Sequence, residues 1–559
     1  MHALRQAPDL LIEHVRPWEP GIGFIDGDAV AIAGDRILAV DTVDALRGVA
    51  DGRTRRLDGR GRVLMPGFVD SHTHFQRASI AREFFLDFEA LGAASVAEIQ
   101  AAVADRVAGL PTGTWIQGDA LVAQRLAEGR MPHRLELDAV APDHPVVLRG
   151  IGRHTVVVNS LALQLAGISR DDPDPPGGRI GRDADGELNG SLHERAKARL
   201  DMTSADTVIP RLGEADRLRA IGAGIRALHR VGIVGIHEMV REPIELGDYL
   251  RLREAGDLAI RVRFYVRSVE SSTQLEHLLR LGLRSNFGDD WLRIGGVKLS
   301  VDGWEVLGTA ATYDPYPGEP DNTGIIRIEP ERLVEEMTAA DRSGLQIAVH
   351  AAGPRAVDAA LDAYTAVLGE RPMANPLRHR IEHVYLPARP GQLERVARLG
   401  LLLSTQPGFV DATGDLWRGM YDDATLERAM PLRTLLDLGI PVQANSDYPC
   451  SPMGPWLGIR GAVARLTRGG IRLGAAEAIT LEAAIAMWTT APAWSAFEEG
   501  RAGTLAAGAR ADIITLTEDP FSTDPDALDR IAVATTILAG AVVHDLEHGP
   551  DDGAPAATR

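Results

Sequence analysis

The sequence predicts an α/β protein: a (β/α)8 TIM barrel, a small β-sandwich domain built from both termini, and an insertion after the first barrel strand. Three observations predict it. Eight short apolar runs recur along the middle of the 559-residue chain with helical patterns between them, the texture of βα units around a parallel sheet. β-Rich segments stand at both ends. The stretch between the first run and the second, about residues 76–231, is far too long for a loop and needs its own structure.

The elements follow in order. DLLIE (9–13), DAVAI (28–32) and RILAV (36–40) are β-rich pieces separated by Gly and Asp turns, and residues 1–62 form the first part of the β-domain. The barrel, residues 63–498, has eight strand candidates. They are VLMPGFVDSHTHF (63–75), GIVGIHEMV (232–240), IRVRFYVR (260–267), LRIGGVKLSVDG (292–303), LQIAVHAAG (345–353), HRIEHVYL (379–386), LLLSTQP (401–407) and PVQANSDYP (441–449). ERLVEEMTAADRS and PRAVDAALDAYTAVL lie between strands with apolar residues at helical spacing. Inside the insertion, PGGRIGRDADGELNGSL reads as a β-hairpin with a DADG turn. GTLAAGARADIITLT and RIAVATTILAGAVVH return to β texture, so residues 499–546 complete the terminal domain. Residues 547–559 form a flexible, polar tail.

Composition narrows the function. The chain is 45% hydrophobic and 25% charged, with a formal net charge of -19. An acidic surface argues against a nucleic-acid or anionic-membrane partner. One cysteine, Cys450, permits no intramolecular disulfide. The start carries no signal-peptide pattern, and no run of about twenty apolar residues could span a bilayer. A cytoplasmic location is expected. Of 59 basic residues only Lys197 and Lys298 are lysine. Lys197, in HERAKARL, reads as a solvated surface residue. Lys298 sits within an apolar strand and needs a reason.

In a (β/α)8 barrel, reactive groups gather at the C-terminal strand ends. Those ends carry His72 and His74 on strand one, Lys298 on strand four, His350 on strand five, His383 on strand six and Asp447 on strand eight. Such nitrogen and oxygen donors suit a divalent metal, zinc or a neighbouring transition metal. Strand alternation points His72 and His74 to one face, where both reach one ion. His379, at the start of its strand, reads as structural; His237 reads as supporting or pocket-lining. A protonated Lys298 among histidines and a cation would be repelled. Reaction of its neutral amine with CO2 would give an anionic bridge between two metals; the alternative is a pair with Asp302. Asp447 can touch metal and take a proton from water, or cap the helix that follows.

These segments together resemble the amidohydrolase family 3 group, the YtcJ-like proteins that include N-substituted formamide deformylases. The likeness runs from DAVAIAGDRILAVD and MPGFVDSHTHF through TWIQGDA, RHTVVVNSLAL, LRIGGVKLSVDG and GLQIAVHAAGPRAV to RHRIEHVYL, ANSDYPCSP, TTAPAW and GTLAAGARADIITL. It implies His72 and His74 on one metal, a carboxylated Lys298 as bridge, His350 and His383 on a second metal, and Asp447 as base. Two departures stand out. GDALV follows TWIQ where the family has GxGW, and Gly353-Pro354 replaces the usual Gly-Asp; both concern the substrate pocket rather than the metal set.

The expected reaction is hydrolysis of a C–N bond in a small amide, N-formyl or N-acyl amine, or cyclic amide by metal-activated water. Arg153, His154, Trp304 and Gln406 are substrate-pocket candidates, each balanced by a packing role. An esterase or lactonase on the same site, and a catalytically inactive metal-binding or regulatory protein, are the competing readings. The expected partner is a small-molecule substrate; a homodimer would be unremarkable for such an enzyme.

Overall fold

A computed structural model of the chain describes residues 6–201, 206–268, 274–369 and 375–548; most of the expected tail lies outside them. Eight parallel strands form the central sheet: β1 (Phe68–Thr73), β2 (Ile233–Val240), β3 (Arg261–Arg267), β4 (Leu292–Ser300), β5 (Gln346–Ala351), β6 (Arg380–His383), β7 (Leu402–Thr405) and β8 (Val442–Ala444). Every one overlaps a run read from the sequence. The runs are buried on both faces, as a sheet wrapped by helices requires. Each ladder pairs sequence neighbours, from β1 against β2 to β7 against β8. The remaining seam is spanned by several hydrogen bonds: Ser71 Oγ donates to the Ala444 carbonyl at 2.7 Å, the Asp447 amide to the His72 carbonyl at 3.1 Å, the His74 amide to the Tyr448 carbonyl at 3.0 Å, and the Ser446 amide to Asp70 Oδ1 at 3.1 Å. The barrel is thus nearly closed.

Register decides what meets at the mouth. Arg267 of β3 lies opposite Lys298 of β4, Ser300 of β4 opposite His350 of β5, and Ala351 of β5 opposite His383 of β6. β4 and β5 approach so closely at Gly296 that a Cβ there would stand 2.0 Å from the Gln346 carbonyl oxygen.

Two further sheets flank the barrel. Strands from both ends of the chain join in one sheet, ordered 541–545, 533–538, 513–516, 55–66, 10–19, 29–33 and 36–41, with 23–24 paired to its side. Apolar clusters pack against it around Ile12, Val30 and Ile537 and around Leu11, Ala31 and Leu46. Strand Arg55–Pro66 runs into β1 with only Gly67 between them. The insertion begins with helix Phe75–Phe84 and builds a six-stranded sheet. Its expected hairpin is present, with Gly178–Arg182 antiparallel to Leu188–Glu194. Gly186 sits in the turn at φ 83°, a conformation that favours glycine.

Candidate metal centre

The strand ends bring the sequence-read donors into one cavity of about 620 Å³, lined by His72, His74, Lys298, His350, His383 and Asp447. One atom each from His72, His74 and Asp447 falls within a mutual 4.8 Å. His72 Nε2 and His74 Nε2 lie 3.6 and 3.5 Å from Asp447 Oδ1, and His383 Nδ1 lies 3.9 Å from Oδ2. Lys298 Nζ is 3.3 Å from His72 Nε2. The rings of His350 and His383 are 4.2 Å apart. His350 Nε2 faces the Gly303 carbonyl at 2.9 Å and Asp302 Oδ1 at 3.3 Å.

Surrounding groups decide which nitrogen of each ring is available. Glu382 Oε2 lies 2.6 Å from His72 Nδ1, so Nδ1 donates to the carboxylate and Nε2 keeps its lone pair. Arg77 Nη2 donates to His74 Nδ1 at 2.8 Å, so the neutral ring in this arrangement carries its proton on Nε2, which faces Asp447 Oδ1 at 3.5 Å. Gln406 donates its amide to Asn445 Oδ1 at 2.8 Å, leaving its oxygen to accept from His383 Nδ1 at 3.1 Å. His383 Nε2 and Asp447 Oδ1 are both buried with no hydrogen-bond partner among the described residues. Orphaned buried acceptors are costly unless a cation meets them. This donor set fits a divalent ion.

Electrostatics agree with the donor chemistry. Burial, then the charges of Lys298, Arg77 and His350 respectively, holds His72, His74 and His383 well below the usual imidazole range. They are therefore neutral, as ligation requires. Burial likewise pushes the Lys298 amine down, toward the neutral form, and the Asp447 carboxyl up. The alternative partner of Lys298 does not meet it: Asp302 accepts the amides of Ala311, Ala352 and Gly353 instead. Nor is Asp447 a helix cap, because the next helix starts at Pro455 behind Gly454.

The pocket candidates divide. Arg153 and His154 line the cavity. Arg153 Nε binds Asp119 at 3.0 Å, and His154 Nδ1 lies 2.7 Å from Glu194 Oε1. Gln406 and Trp304 do not line it. Gln406 stands behind His383 as its hydrogen-bond partner, and the buried Trp304 ring packs 5.9 Å from Phe409. Lys197 corrects the surface reading: it is buried on the cavity wall, 3.2 Å from Asp201. His379 is structural, accepting the Ile347 amide at 2.9 Å, and His237 lies beneath the centre against Arg380 at 3.1 Å.

Sequence reasoning missed Glu382, Arg77 and Glu194. Glu382 precedes His383, so strand alternation would place the two on opposite faces. The structure breaks that alternation with left-handed backbone at His383 (φ 84°) and Val384 (φ 50°). No local pattern marks Glu194, which the insertion hairpin carries to the mouth with Arg327 3.3 Å away.

A barrel with histidines and an aspartate converging at its C-terminal mouth defines a class, the metal-dependent hydrolases, and the comparisons place the chain within it. A model of the amidohydrolase family matches residues 56–544, and the chain belongs to that family. It is 30% identical to the N-substituted formamide deformylase of Arthrobacter pascens, over 92% of this chain and 95% of that protein. It is equally 30% identical to the putative amidohydrolase YtcJ of Bacillus subtilis strain 168, over 88% and 91%. Among solved structures, an uncharacterised metal-dependent hydrolase from Pyrococcus horikoshii OT3 aligns with TM-score 0.73 at 26% identity, covering 92% of this chain and 99% of the other. No helix among the described residues is long and apolar enough to cross a membrane.

Proposed function

We propose that the protein hydrolyses a C–N bond in a small N-formyl or N-acyl amine, with His72, His74, Lys298, His350, His383 and Asp447 holding one or two zinc ions. One observation carries this reading. Three donors converge within 4.8 Å, and Asp447 Oδ1 and His383 Nε2 beside them are buried without hydrogen-bond partners. Such ions would polarise the substrate carbonyl and acidify a water molecule.

The remaining steps belong to the chain. Lys298, as a neutral amine, would form an N–C bond to CO2 and release one proton, giving a carbamate whose negative charge would help to hold a divalent cation. Asp447 accepts a proton from water as its oxygen adds to the substrate carbonyl carbon. It then delivers that proton to the nitrogen as the C–N bond breaks, giving a carboxylic acid and an amine. Glu382 and Gln406 hold His72 and His383 in the tautomers that leave Nε2 available. The single buried cysteine, Cys450, suits a reducing, cytoplasmic setting.

The test is elemental analysis of purified protein together with amine release from a panel of N-formyl and N-acyl amines. Bound zinc that falls sharply in Lys298→Ala, with turnover lost in Asp447→Asn, is the expected result. Metal-free wild-type protein that stays inactive with zinc and bicarbonate supplied would overturn the proposal.

A further inference from the structure

Beside the metal cavity lies a larger chamber of about 770 Å³, and Arg77, Arg153 and Lys197 line both. The two spaces therefore share a wall. Much of the chamber is apolar, with Ile80, Phe85, Val156, Leu200, Leu212 and Ile244 on its surface. A hydrocarbon group leaving the metal cavity would be buried there.

The charges of the chamber are nearly all answered. Arg217 binds Asp248 through two nitrogens, each at 2.8 Å. Arg211 meets Glu242 at 2.7 Å, Lys197 meets Asp201 at 3.2 Å, and Arg153 is held by Asp119. Glu245 takes the Arg241 amide at 2.6 Å. Arg149 is different. Its guanidinium is buried, yet no carboxylate among the described residues lies within ion-pair distance of it. One nitrogen, Nη2, donates to the neutral Gln117 amide oxygen at 2.7 Å, and Nη1 has no hydrogen-bond partner among the described residues. The group lies 5.1 Å over the Phe85 ring, which fixes its place on the chamber wall. A carboxylate oxygen on Glu242 and one on Glu245 also lack hydrogen bonds. Their charges, unlike that of Arg149, are met by Arg211 and by Arg77 at 3.8 Å.

A buried guanidinium without a counter-charge is costly, and a planar carboxylate matches its fork of donors. We infer that the substrate is an amide bearing a carboxylate on an apolar stem, and that Arg149 receives this carboxylate in the side chamber. The inference rests on the proposed hydrolysis for the position of the scissile bond, whereas the anion site itself does not.

Two measurements separate the anion site from the reaction. Binding of 3-phenylpropionate and of its carboxamide to wild-type protein is read by calorimetry in chloride-free buffer, which needs no turnover. The carboxylate is expected to bind at least about 100-fold more tightly, an energy in the range of a buried charge-assisted pair. Arg149→Met abolishes that preference while metal content and thermal midpoint stay near wild type, and Arg149→Lys restores part of it. In turnover, N-formyl amines ending in a carboxylate are cleaved with higher kcat/KM than the matching carboxamides, and Arg149→Met levels the two. Equal binding of acid and amide by wild-type protein overturns the anion site, whatever the turnover. Preference for the acid without cleavage of any amide would leave the anion site standing and remove the proposed reaction.

Discussion

Glu382 reaches the centre through His72. Its Oε2 lies 2.6 Å from His72 Nδ1, and Arg380 Nε pairs with its other oxygen at 2.5 Å. A carboxylate in this place fixes the ring and raises its basicity. Glu382→Gln keeps the shape and removes the charge, so zinc affinity should fall about 10–100-fold. Competition with a zinc-binding dye measures it, and unchanged affinity would assign Glu382 a purely structural role with Arg380. The metal donors themselves were legible because each closes an apolar strand. Glu382 was hidden because the rule that makes strands legible, alternation, fails where the backbone turns left-handed at His383. Positive φ also occurs at Asp447 (φ 50°), Arg153 (φ 60°) and, with ψ at -117°, Glu194 (φ 48°), all on the cavity wall. Each costs about 1–2 kcal/mol, and sequence patterns carry no sign of it.

At the scale of elements, the strands were readable because a run buried on both faces admits few polar residues. LQIAVHAAG announces β5 and its histidine together. Lys197 was misread for the converse reason: its segment HERAKARL is polar, and only the packing of residues 195–200 against the barrel mouth buries it. Glycines separate structural demand from tolerance. Ala at Gly296 would place its Cβ 2.0 Å from the Gln346 oxygen and push β4 from β5 beneath Lys298. Gly222, inside helix Glu214–Arg230, has only the Arg226 Nη1 tip at 3.7 Å. Gly296→Ala should therefore lose about 1–3 kcal/mol and shed metal, while Gly222→Ala should gain about 0.5–1 kcal/mol from helix propensity. Thermal midpoints of both variants decide it; a tolerated Gly296→Ala would mean that the β4–β5 spacing is not what holds Lys298.

At the scale of the whole molecule, the terminal sheet and the barrel meet through apolar packing and around a buried carboxylate. Glu498 receives Arg263 of β3, Arg293 of β4 at 3.1 Å, and Arg510 of the chain's last third at 2.7 Å. Arg261 of β3 adds a second tie to Asp512 at 2.9 Å. That both chain ends form one sheet was legible from their shared texture. The ties were not, because Glu498 and its arginines are far apart in sequence and each alone looks like a surface charge. Burial would raise the Glu498 carboxyl, but Arg263, then Arg510 and Arg293, hold it at about 2 against an ordinary 4.5. A lowered carboxyl stabilises the fold fully above its unfolded value and loses that contribution as pH falls from 4.5 toward 2. The difference corresponds to about 3 kcal/mol. Glu498→Gln should consequently cost about 3 kcal/mol at pH 7, leaving its arginines short of a counter-charge. The gap between wild type and variant should then close below pH 4.5 and nearly vanish near pH 2. Denaturant unfolding followed across that window reads the gap directly. A difference that stays constant with pH would mean that shape, and not the ionised carboxylate, joins the two parts.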